Sequence, residues 1–140
     1  MTTTAAFVNS FKQELLAMTP HTAADVYKIA LYTDAAATLN KSTTAYTATG
    51  EITGTGYTAG GMVLAGFSAT LDTDSAILDW TTDPVWTGAT ITADTALIYN
   101  SSRSNKAVAV VKFTSATSTA APFTVQLPAP AAATAIVKIE

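Results

Sequence analysis

One histidine, ten carboxylates and no cysteine bound the chemistry this chain could carry. His21 has Asp25 four residues on, and serines are plentiful, so a Ser-His-Asp arrangement can be drawn. But His21 follows Pro20 where a helix is expected to end, and no Gly-x-Ser-x-Gly turn presents a nucleophile. A solvated loop histidine is the simpler reading. Asp72, Asp74, Asp79, Asp83 and Asp94 fall close together. Asp72-x-Asp74 resembles the opening of a calcium loop, yet the fifth position is Ala76 and no Gly or closing Glu follows. Turn formation is the expected role of these acids, with a surface Ca²⁺ site built from several loops as the alternative. Glycoside hydrolysis needs two carboxylates across a cleft, one with a raised pKa, whereas acids in turns stay solvated. The run Gly54-x-Gly56-x-x-x-Gly60-Gly61 lacks both the Rossmann spacing and a P-loop lysine, and it precedes a strand. Its glycines are expected to supply positive φ in a turn. No nucleophile, base and metal set emerges, so neither enzyme activity nor a cofactor or metal is expected.

The elements that must position these residues are mostly strands. The chain has 140 residues, 49% hydrophobic and 12% charged, enough for one domain with a real core. Alanine and threonine dominate it, and both suit a sheet in which threonine lines the surface and alanine lets layers approach. A net charge of −3 with few, scattered basic residues excludes a nucleic-acid stripe. No apolar run is long enough for a membrane helix, and Met1 to Ala17 lacks a positive start and carries Lys12, Gln13 and Glu14 where a secretory leader would be apolar, so no signal peptide is expected. The lack of cysteine excludes disulfides and thiolate metal sites and fits intracellular assembly.

Phe7, Val8, Phe11, Leu15 and Met18 recur at helical spacing and predict a short amphipathic helix, capped by Thr2, Thr3 or Thr4 and ended by Pro20. After Pro20 the signals are strand and turn. Val26–Thr33 alternates as a strand. A long polar loop, 34–61, is expected to hold short strands near Ala45–Thr47 and Glu51–Thr53. Met62–Leu71 reads as one strand, and Ala76–Thr81 as its hairpin partner across the Asp72–Ser75 turn. Asp83-Pro84 breaks the pattern. Val85-Trp86, Thr90–Thr92 and Thr95–Tyr99 read as separate pieces. The turn Asn100–Lys106 leads to Ala107–Phe113, then a Ser/Thr/Ala loop, Phe123–Leu127 and a last strand at Ala135–Ile139. The spacing predicts an all-β fold: an antiparallel β-sandwich of jelly-roll type with about eight strands, preceded by the helix. Residues 1–20 would form an arm and helix, and 21–140 a single sandwich domain. Trp80 alternates with Leu78 and Ala76 and is expected inside; Trp86 suits either core or contact. Asn40-Lys41-Ser42 and Asn100-Ser101-Ser102 match the glycosylation pattern but read as polar loops.

Five ordered segments carry a likeness: KIALYT (Lys28–Thr33), GTGYTAGG (Gly54–Gly61), LDWTT (Leu78–Thr82) with Val85-Trp86, ITADTALIYN (Ile91–Asn100) and AVAVVKF (Ala107–Phe113). Together they resemble a family of small tailed-phage capsid cement, or decoration, proteins over most of the chain from Ala24 onward. The resemblance implies a jelly-roll-like sandwich on the outer face of an icosahedral head, with copies bridging major capsid protein subunits at symmetry axes. It also implies synthesis in the host cytoplasm, and neither a nucleic-acid nor a membrane partner.

On this reading the partner contacts are expected from Phe7, Phe11 and Leu15 of the arm, Tyr46 and Tyr57 of the long loop, Trp86, and the Ser/Thr/Ala loop. The helix either docks on a partner or plugs one end of its own sandwich. Exposed sheet edges predict self-association, first as a two-fold dimer and otherwise as a trimer. The competing reading is a carbohydrate- or receptor-binding module of a phage fibre, with Trp86, Tyr57 and Tyr99 as an aromatic platform.

Overall fold

A computed structural model describes residues 3–140. In chain order the elements are β1 (Thr3–Phe7), α1 (Asn9–Leu16), β2 (Tyr27–Tyr32), β3 (Met62–Val63), β4 (Phe67–Asp72), β5 (Ser75–Trp80), β6 (Val85–Asn100), β7 (Lys106–Thr124) and β8 (Val137–Ile139). Two antiparallel sheets result, ordered β1-β7-β6-β2-β3 and β4-β5-β8. The expected all-β sandwich with one short helix near its start is present. Sheets of five and three strands in this order do not establish the jelly-roll connectivity.

The start of the chain departs from the helical reading. Thr3–Phe7 is a strand, paired with β7 from Thr3↔Phe113 to Phe7↔Ala109. Val8 is still extended, with φ −75° and ψ 157°, and no side chain caps the helix. Thr3 and Thr4 are therefore strand residues, while Thr2 lies outside the described residues. The pairing offered by the β7 edge outweighs the weak propensity of a two-turn helix. At the other end α1 closes before Pro20. Thr19 N–H donates to Glu14 O and Met18 N–H to Leu15 O, with Met18 left-handed at φ 55°, which is a Schellman stop. Met18 thus leaves the helical stripe and is exposed.

Three further segments differ from the sequence reading. The strand expected over Met62–Leu71 is broken in the middle, where Gly66 takes φ +81° and its carbonyl accepts from Thr81 N–H. β3 stays in the large sheet and β4 begins the small one, so this segment is a corner between sheets. Conversely, the separate pieces from Val85 to Tyr99 are one sixteen-residue strand, β6. The Ser/Thr/Ala loop is the middle of the nineteen-residue β7. Register shifts between Trp86 and Tyr99, one beside Ala120 at φ 49°, let this long hairpin bend without ending. Threonines bond across it, with Thr92 Oγ1 and Thr117 Oγ1 at 2.8 Å.

The core runs through both sheets. The centre of the large sheet is buried on both faces, with Ile29, Leu31, Ile98 and Val111 on one and Leu97 and Val108 on the other, and Trp80 reaches the first through Tyr27, 5.3 Å away ring to ring. Val8 and Phe11 are fully buried in the same core. The arm is thus continuous with the sandwich. The long loop forms no strand of its own and pairs with the sheet at isolated bridges, among them Tyr32↔Glu51 and Ala45↔Lys106, where short strands were expected. It enters β3 through Gly61, at φ +72°, where a Cβ would lie 1.8 Å from the Ile29 carbonyl oxygen.

Candidate functional site

His21 is not a solvated histidine. Its side chain is 1% exposed and lies between α1 and the end of β6. Its Nε2 meets Glu14 Oε2 at 2.5 Å, and Asn100 Nδ2 lies 3.1 Å from Nδ1. Asn100 is oriented by its neighbours: its Oδ1 accepts from Ser102 N–H and its amide also donates to Asp25 Oδ2. Nδ1 therefore accepts and Nε2–H donates to Glu14. Both nitrogens are used, so no substrate reaches this ring. The Arg103 guanidinium bonded to Asp25 holds that carboxyl well below the usual range, against burial and with help from Asn100 and Thr22 N–H. Burial works to raise the Glu14 pKa, but the bonds from His21 and Lys106 outweigh it and the net shift is downward. His21 and Asp25 are joined through Asn100, in a network that ties the helix to the sheet rather than leaving a solvated loop histidine as the sequence suggested.

The clustered aspartates also have a structural task. Asp72 accepts from Ala132 N–H, Asp83 from Leu127 N–H, and Asp79 weakly from Ile136 N–H. They hold the segment after β7 against the small sheet. Asp79 is fully buried, and burial pushes its carboxyl up. Asp94 instead accepts from Asp34 N–H and Thr95 Oγ1. Among the described residues no three metal-ligating side chains converge.

The expected contact residues fall into two separate groups. Phe7 and Phe11 meet edge to face with centroids 6.5 Å apart, Phe11 only 1% exposed and Phe7 half-buried. Tyr57 and Trp86 meet at 6.0 Å, with Trp86 6% exposed. Tyr46 and Tyr57 both donate to Glu51, at 2.6 Å each, and Gly60 N–H adds a third bond. Burial first, then this carboxylate, pushes the Tyr46 hydroxyl up to about 12. Phe11 and Trp86 are therefore core, the one of the two roles left open for each in the sequence that removes them from a contact surface. Trp86 and the buried Tyr99 also leave no exposed aromatic platform for a sugar.

Of the expected contact residues, Leu15, half-buried, borders a substantial apolar surface together with the buried Phe11. It shares a cleft of about 490 Å³ with Phe11, Leu71, Leu78 and Ile139, between α1 and the small sheet. Leu71 is 77% exposed and Ile139 52%, and Leu16 beside them is 87% exposed. Register explains the surface, since Leu71↔Ala76↔Ile139 and Ala69↔Leu78↔Val137 form two apolar rows on one sheet face. The alternation was visible in sequence, but not that Leu71 and Ile139 at this end of the small sheet stay exposed. The cleft offers apolar burial and no reactive group. No protein-family model, no curated protein and no solved structure matches this chain.

Proposed function

We propose that the chain is a structural virion protein: a cement protein on the outer face of a tailed-phage head, where it bridges major capsid protein subunits. The exposed apolar cleft carries the reading. A sandwich that leaves Leu16, Leu71 and Ile139 exposed around a half-buried Leu15 is suited to completing its packing on another protein. The resemblance of its five sequence segments to the cement family gives that partner a class. A head under internal pressure fails where subunits part, and a stiff domain bound to two of them must be torn from one first. Linked contacts of modest strength suffice, because each acts at high effective concentration. A protein that binds only the expanded shell stabilises that state by mass action. Two copies joined at a two-fold axis would double the clamp.

The test is binding of purified protein to expanded, undecorated heads, followed by heating. Decorated heads are expected to release DNA at a higher temperature, with near-stoichiometric protein per shell subunit. Leu71→Asp, on an exposed rim, is expected to leave folding intact and cut binding at least tenfold. Heads that lose DNA at the same temperature with and without the protein overturn the reading.

A further inference from the structure

We propose that the open edge of β1 takes an extended, carboxylate-bearing segment of another protein as an added strand. β1 is an outer strand of the large sheet. Val8 N–H donates to Val108 O, so Val8↔Val108 is a hydrogen-bonded pair, and the alternation of an antiparallel ladder then sets the rest. Ala6 and Thr4 turn their backbone groups inward to β7. Phe7, Ala5 and Thr3 turn theirs outward, giving three donors and three acceptors at strand spacing. They face a groove of about 690 Å³ whose far wall is the segment 126–136 with Lys138. Among the described residues no strand pairs with this edge, although Asn9 N–H, next in the same phase, already bonds Lys41 O.

Charge selects the occupant. Lys12, Lys41 and Lys138 line the groove, and no acidic residue does, in a chain with net charge −3. Lys12 is held over the Phe7 ring at 4.9 Å, and neither it nor Lys41 has an acidic partner among the described residues. Lys138 already binds a carboxylate, that of Glu140, at 2.9 Å. A second copy paired edge to edge through β1 would bring two such lysine sets together, which is how edge lysines deter self-association. An acidic strand meets the opposite field. Strand addition supplies main-chain hydrogen bonds and the lysines supply selectivity. The surface is distinct from the apolar cleft, and the inference does not rest on a phage head.

The test uses the full chain and a short synthetic peptide alternating Glu with Val and Thr. Binding is expected by fluorescence anisotropy, weakening with added salt, with slowed exchange of the Thr3, Ala5 and Phe7 amides. The same peptide with Lys for Glu, or with N-methylated backbone, is expected not to bind. Lys12→Glu with Lys41→Glu is expected to weaken binding about tenfold. Ala5→Pro removes only an outward N–H, a change an edge strand tolerates, and is expected to fold yet lose the peptide. Equal binding of the acidic and basic peptides overturns the proposal, as does absence of binding by the acidic one. Protection of the same amides by self-association, or by a single-stranded oligonucleotide in place of the peptide, overturns it too.

Discussion

His21, Asn100 and Asp25 form a relay of hydrogen bonds whose charged ends are Lys106 on Glu14 and Arg103 on Asp25. Asp25 has its folded pKa lowered, so its contribution is present above the unfolded aspartate value near ~3.9 and is lost as pH falls below it. Asp25→Asn is expected to cost about 2 kcal/mol at neutral pH, because Arg103, Asn100 and Thr22 N–H lose a charged acceptor. Denaturant titrations should show that gap narrowing as pH is lowered through ~3.9; a gap constant with pH would refute the assignment. Met18 is a different case. It occupies a left-handed position usually given to glycine while its side chain sits in solvent. Met18→Gly is expected to stabilise by about 1 kcal/mol, roughly 3 °C in Tm, by calorimetry.

At the scale of elements, the arm is where the two readings of the helix meet. Its inner residues, Val8 and Phe11, plug the sandwich, while Leu15 and Leu16 face the cleft and solvent. Deleting residues 2–18 removes β1, exposes the β7 edge from Ala109 to Phe113, and empties the site of Phe11. The expected loss is about 5 kcal/mol or more, comparable to the whole stability of such a domain. Far-UV circular dichroism should show an unfolded or aggregated chain. A truncated protein that stays folded would mean the arm is an appendage. The β4–β5 hairpin was legible because Asp72 to Ser75 is turn chemistry between two apolar alternations. The β6–β7 hairpin was legible only near its Asn100–Lys106 turn. Its far half is Thr, Ser and Ala, whose alternation in burial leaves little contrast in hydrophobicity.

For the whole molecule, the tyrosines report on integrity. All five are raised, by burial first and then, for most, by nearby carboxylates, with Tyr27 and Tyr46 at about 12. A raised folded value means stability is intact below the unfolded tyrosine pKa of ~10 and lost as pH rises through the folded values. Phenolate absorbance is therefore expected to appear with unfolding, in one cooperative step, well above pH ~10. A gradual rise near that value with the fold intact would contradict it.

Strand-forming composition, the punctuating turns, an inward Trp80 and the absence of thiol chemistry were all decided locally, by residue type and spacing, and so were readable along the chain. Which side of each strand is covered was not. Leu71 and Trp86 look equally apolar in sequence, yet one is exposed and the other buried, because Tyr57 of the long loop and Phe123 of β7 pack against Trp86 while Leu71 stays on the open rim of the cleft. The roles of His21 and the aspartates were hidden for the same reason. Their partners, Asn100, Ala132 and Leu127, are forty or more residues away and arrive only when the sheets assemble.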